Sequence, residues 1–209
     1  MELSTLWFVL VAVLWTGYLT LEGFDFGVGI LTKGLARGEK ERRVLINTIG
    51  PVWDGNEVWM ITAVGATFAA FPEWYATAWS AYYIPLVVIL FALICRGLAF
   101  EYRAKHDSDS WRRRWDRVIF WGSLVPIFLW GVLLSGFAKG LPLDANHDFV
   151  GGLGDIVTPY TLLGGIVTTV LAVLHGAHYI GLKTVGDIRL RARRLATRLV
   201  APAGVVTAG

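Results

Sequence analysis

Of 209 residues, 55% are hydrophobic, only 17% are charged, and ten are Trp. Soluble domains carry about 25% charged residues, so this balance excludes an ordinary soluble fold and points to an integral membrane protein. The formal charge of +3 comes from Lys and Arg gathered in three blocks between apolar runs, a pattern of membrane topology rather than of nucleic-acid binding. The lone Cys95 supplies neither a disulfide nor a thiolate cluster.

A crossing helix takes about 20 mostly apolar residues. The first run, Leu3 to Leu31, has no basic stretch ahead of it and is too long for the apolar part of a signal peptide, so no cleavable leader is expected. The second, Pro51 to Ala70, opens on a proline suited to a first helical turn and closes at Phe71-Pro72. The third, Tyr75 to Phe100, and the fourth, Val118 to Lys139, contain Pro85 and Pro126, each expected to kink its helix. The fifth runs from Pro159 to Leu182. A sixth begins at Leu199, and residues 199–209 are too few to span at about 1.5 Å each, so the sequence reads as part of a longer protein.

Every Lys and Arg except Arg96 and Lys139 lies in Lys33 to Arg43, Arg103 to Arg117 or Lys183 to Arg198, the connections after the first, third and fifth crossings. The intervening connections carry Glu73, Asp144, Asp148 and Asp155 instead. This alternation places the amino terminus outside. The expected fold is all-α: a polytopic transmembrane helix bundle with five complete crossings and the start of a sixth. Residues 1–182 form a four-helix bundle plus one additional crossing, 183–198 a cytoplasmic basic connection, and 199–209 the sixth helix's start. Trp7, Trp74, Trp79 and Trp121 fall near the interfaces, where indole rings anchor. Gly23 and Gly27 give a small-xxx-small spacing suited to close helix packing.

Four acids lie inside the expected spans: Glu22 and Asp25 in the first, Asp54 and Glu57 in the second, each pair spaced i,i+3 on one helix face. A carboxylate in hydrocarbon costs several kcal/mol, so such residues are functional candidates by default. Helix one runs inward and helix two outward, which puts all four on the cytoplasmic side, at a depth that Arg96, His175 and His178 also reach. One ionisable cluster there reads as the entrance of a proton half-channel; the alternative is structural pairing, with Arg96 and Asn56 satisfying the acids. His175 and His178, one turn apart, are candidate metal or haem ligands, but a haem held by two histidines needs them on opposite sides of its ring. Hydrogen bonding is the competing reading.

"VGGLGD" at 150–155 is glycine-rich but follows no strand and has no P-loop lysine, so it reads as an outside loop. The Arg103 to Arg117 connection offers charge to anionic lipid headgroups or to an acidic partner surface, besides setting orientation. Asp187 to Arg198 has the pattern of an interfacial amphipathic helix leading into the sixth crossing. On these features a secondary transporter or proton-coupled exporter competes with a proton-conducting or purely structural subunit.

"EGFDFGVG" at 22–29, "ERRVLINTIGPVWDGNEVWMITAVGATFAAFPEWYA" at 41–76, "RGLAFEYR" at 96–103 and "TVGDIRLRARR" at 184–194 closely resemble subunit II of the cytochrome bd quinol oxidases. The resemblance covers nearly the whole chain. It implies a multi-pass protein of the bacterial plasma membrane, in a family with roughly nine crossings built from two related four-helix bundles and one peripheral helix. It further implies an enzyme complex that takes electrons from a membrane quinol and reduces dioxygen to water. Haems b and d and the quinol-receiving loop would belong to subunit I. Subunit II would pair with and stabilise it, contribute a proton path and, in some members, an oxygen route. Asp54 in WDGN and Asp25 in GFDFG are the proton-path residues carried over; Glu57 and Glu22 join them on the spacing argument alone. Small accessory membrane subunits and a structural quinone in this subunit are further family features to which no residue here is assigned.

Overall fold

The computed structural model describes residues 2–208, with side chains in the last helix up to Ala201. Long apolar segments become helices because hydrocarbon offers no partner for backbone N–H and C=O groups, and only helices pair all of them within one segment. The first, α1, runs Leu3–Gly34; a turn through Gly38, whose φ of 133° suits glycine, leads into α2, Glu39–Ile49. Then follow α3, Trp53–Ala70, α4, Pro72–Ala81, and α5, Tyr83–Tyr102. The longer α6 spans Asp109–Lys139, α7 is the single turn Leu153–Ile156, α8 spans Pro159–Lys183 and α9 spans Gly186–Ala208.

Four of these, α1, α5, α6 and α8, are long and apolar enough to cross a membrane. The remaining expected crossing is α3, whose 18 residues open on the polar sequence WDGNE. Its length suffices but its hydropathy falls short, yet it packs along α1.

Three local features differ from the expectation. The third expected crossing is two helices, broken at Tyr82, whose φ and ψ of −102° and 24° lie outside the α region. Pro85 sits in the first turn of α5 and has no N–H for the Ala81 carbonyl, so the expected kink becomes a restart. Pro126, by contrast, lies inside an unbroken α6. The stretch after Lys33 contains α2, a helix of its own, whose Glu39 and Glu41 occupy the first turn, where the helix dipole favours acids, and whose Leu45 and Ile49 are buried. The glycine-rich stretch at 150–155 lies in the loop between α6 and α8 and supplies the start of α7.

The core has two parts. Tyr18 and Phe26 of α1 meet Tyr82, Ile89, Ile127, Trp130 and Leu133, while nearer the basic connections Val28 and Leu31 meet Leu45, Ile49, Ala177, Ile180 and Ala192. At Gly27 α1 and α8 approach closely: a Cβ there would collide with the Ala172 carbonyl oxygen and lie 2.9 Å from the Gly176 Cα. A Cβ on Gly23 would have only an ordinary contact with His175, 3.6 Å away, so the small-residue spacing acts through Gly27.

Candidate functional site

Arg96, late in α5, is fully buried. It turns inward because α6 passes close by at Gly122, where a Cβ would lie 2.8 Å from the Arg96 Cβ and 3.0 Å from the Ala92 carbonyl oxygen. Its Nη1 donates to Glu22 of α1, which is also fully buried, and to Glu57 Oε1 of α3 at 3.1 Å. The rings of Phe26 and Phe100 lie 4.8 and 5.3 Å from the guanidinium, supplying cation–π contact where no water reaches.

Asp25, one turn from Glu22 and equally buried, accepts from Asn56 Nδ2 at 2.7 Å. Thus α1, α3 and α5 each contribute to one cluster of Glu22, Asp25, Asn56, Glu57 and Arg96. The side chain of Glu57 is 15% exposed, the least enclosed of the three carboxyls. One guanidinium balances one carboxylate, and burying uncompensated charges is costly. One guanidinium cannot offset three ionised carboxylates, so the charge balance of the cluster depends on how many of its acids hold protons. Arg96 Nε and Nη2 have no hydrogen-bond partner among the described residues.

Asp54 stands apart. It is exposed on the outer side of α3 and makes no hydrogen bond or ion pair among the described residues, although it is only three positions from Glu57. Residues three apart on an α-helix differ by about 60° in direction at 3.6 residues per turn. The edge of the bundle falls between these two. The histidines are also separate. His175 packs edge-on against Phe24 at 5.5 Å, and exposed His178 engages the Leu174 carbonyl through Nδ1 at 2.9 Å. Among the described residues, no three His, Cys, Asp or Glu side chains gather as a ligand set.

Sequence reasoning did not single out Phe26, Phe100 or Gly122, which wall the arginine. The only signal for them was helical spacing around the charges: Phe26 is four residues from Glu22, and Phe100 four from Arg96. A second polar group was also missed. Glu39 of α2 accepts from Arg103 at 2.8 Å, Arg103 also binds Asp116 at 2.6 Å, and Arg42 reaches Asp116 at 3.1 Å. Two residues on, Glu41 accepts from Arg191 of α9 at 2.6 Å and from the Arg37 backbone N–H at 2.5 Å. Through these acids α2 ties together the basic ends of α5, α6 and α9.

A family model described as cytochrome bd terminal oxidase subunit II matches residues 3–209. The chain is 52% identical over 199 residues to cytochrome bd ubiquinol oxidase subunit 2 of Bacillus subtilis (strain 168), covering 95% of this chain and 59% of that protein. It is 41% identical over 198 residues to cytochrome bd-I ubiquinol oxidase subunit 2 of Escherichia coli (strain K12), covering 93% and 52%. It therefore spans between half and three-fifths of the length of these curated relatives. A chain of the bd oxidase structure from Geobacillus thermodenitrificans superposes with a TM-score of 0.79 at 16% identity, over 99% of this chain and 64% of that one, a likeness of fold.

Proposed function

The chain belongs to the cytochrome bd terminal oxidase subunit II family, and from that premise we propose that it belongs to a membrane subunit that supplies protons to a partner reducing dioxygen with electrons from a quinol. Family membership removes the support for a secondary transporter. The observation that carries the proton role is the buried cluster, in which Glu22 and Glu57 share one guanidinium and Asp25 binds Asn56 beside them, with exposed Asp54 one turn away. The basic connections mark the cytoplasmic side, and α3 begins there, with Asp54 and Glu57 in its first two turns. A proton taken up at Asp54 has Glu57 as its next carboxyl, and Glu22 and Asp25 lie deeper. Arg96 holds Glu22 and Glu57 in position and offsets the charge left when a proton departs. Drawing protons from this side lets oxygen reduction build a gradient.

Haems b and d are assigned to subunit I as partner. His175 and His178 share one helix, one against Phe24 and the other engaged with its own backbone, which does not favour a haem held between the two. A structural quinone, accessory subunits and the crossing count of five, with α3 as the second, stay within the same proposal.

The test is proton uptake by the full-length complex with Glu57→Gln, followed by a pH-indicating dye during a single turnover with oxygen. Slowed uptake with unchanged haem content supports the relay. Unchanged uptake makes the cluster a structural joint between helices.

A further inference from the structure

The arginines at the start of α6 and around it form two sets. Arg112 pairs with Asp107 and with Asp109 at 3.4 Å, and Arg42 and Arg103 share Asp116 and Glu39. Arg113, Arg114 and Arg117 form no ion pair among the described residues, and all three are exposed. The Nε of Arg117 donates to the Arg113 carbonyl at 3.3 Å, which leaves its terminal nitrogens for another acceptor. Arg113 and Arg117 are spaced i,i+4 and so are neighbours on the helix surface.

Arg117 is also the charged end of a groove of about 490 Å³ between α5 and α6, lined by Val88, Phe91 and Cys95 on one side and by Trp121 and Val125 on the other. From Val118 to Val125 it follows α6 for about 10 Å at 1.5 Å per residue, within the half of the membrane nearer the basic connections. Trp121 is 55% exposed beside it, as expected for an indole at headgroup level. The groove is thus apolar along its length and cationic only at its cytoplasmic end.

We propose that this groove binds one anionic phospholipid of the cytoplasmic leaflet, with its phosphate held by Arg113 and Arg117 and an acyl chain lying between Phe91, Cys95 and Val125. Charge complementarity selects the occupant. A zwitterionic lipid brings no net charge to two unpaired guanidiniums, a free anion makes no use of the apolar walls, and an uncharged protein helix would leave the arginines without acceptors. The assignment is independent of the proton path, since none of these residues belongs to the buried cluster.

The test uses the full-length complex, stripped of lipid in detergent, with phosphatidylglycerol or phosphatidylcholine added and bound lipid counted by native mass spectrometry. The expected result is one phosphatidylglycerol that phosphatidylcholine does not replace. In Arg113→Gln/Arg117→Gln its affinity falls about 30-fold, the loss expected for two surface cations. Cys95→Trp fills the groove without changing charge and abolishes retention of the same molecule, and inorganic phosphate does not displace it. Equal retention of both lipids, an unchanged count in either variant, or displacement by phosphate alone would each overturn the assignment. So would native complex in which Cys95 cross-links to protein and not to a photoreactive phosphatidylglycerol.

Discussion

Arg96 and Glu22, 74 positions apart in sequence, form an ion pair that no solvent reaches. With Glu57 on the other side of the same Nη1, the pair fastens α5 to α1 and α3 at the depth where the protein keeps its intramembrane acids.

Removing the cation leaves those acids without compensation. Arg96→Gln is expected to destabilise the folded protein by about 3 to 5 kcal/mol, the usual cost of breaking a buried pair from one side. In Glu22→Gln/Arg96→Gln neither charge remains, so part of the loss should return. Thermal unfolding of the detergent-solubilised complex checks this, and equal losses in the single and double variants would show that Arg96 acts through packing alone.

At Gly27 a side chain has no space. Gly27→Val is expected to push α1 from α8 and cost about 1 to 3 kcal/mol, as overpacking generally does. Gly65 lies on the exposed side of α3, where an added Cβ would meet nothing within 4 Å. Gly65→Ala should therefore be neutral to slightly stabilising. A thermal midpoint lowered as much at 65 as at 27 would contradict the close-approach account.

Among the basic connections, the hydrogen bond from Arg191, followed by that from the Arg37 backbone N–H, holds the Glu41 carboxyl below its ordinary range. Glu39 is also lowered: burial opposes the shift, but the bond and charge of Arg103 outweigh it. A carboxyl depressed in the folded state adds stability above its unfolded value of about 4.3, and that stability disappears as pH falls through the lower folded value. Acidification through that window should therefore loosen α2 from α9, read as rising amide exchange in Glu39–Ile49. Glu41→Gln should weaken the contact at neutral pH and blunt the acid response; an identical response in that variant would remove Glu41 from the tether.

Hydropathy and charge alternation made the long apolar helices and their order readable, because both follow from local composition, whereas α2 and the break at Tyr82 left no mark in either. The cluster was half readable. Spacing placed Glu22 with Asp25 and Asp54 with Glu57, and antiparallel direction brought the pairs and Arg96 to one depth. What spacing did not resolve is the rotation of α3. The packing of α1 against it, through contacts such as Trp15 Nε1 to Thr67 Oγ1 at 3.1 Å, turns Glu57 inward and Asp54 outward. His175 and His178 matched the cluster in depth yet lie against Phe24 and their own helix, since depth says nothing about which side of a helix is buried. The clasp from Glu41 to Arg191 joins residues 150 apart, a pairing fixed only by the assembled fold.

Passage of protons from Asp54 to the buried carboxyls is tested by quinol-driven oxygen consumption of the full-length complex carrying Asp54→Asn, with haem content measured in the same sample. The amide keeps the shape of the side chain but cannot take up and release a proton as the acid does. Because Asp54 is exposed and makes no hydrogen bond or ion pair among the described residues, assembly should survive. The expected result is turnover reduced about a hundredfold or more, the range that proton-transfer groups contribute, with haem intact. Full turnover with intact haem would contradict that route.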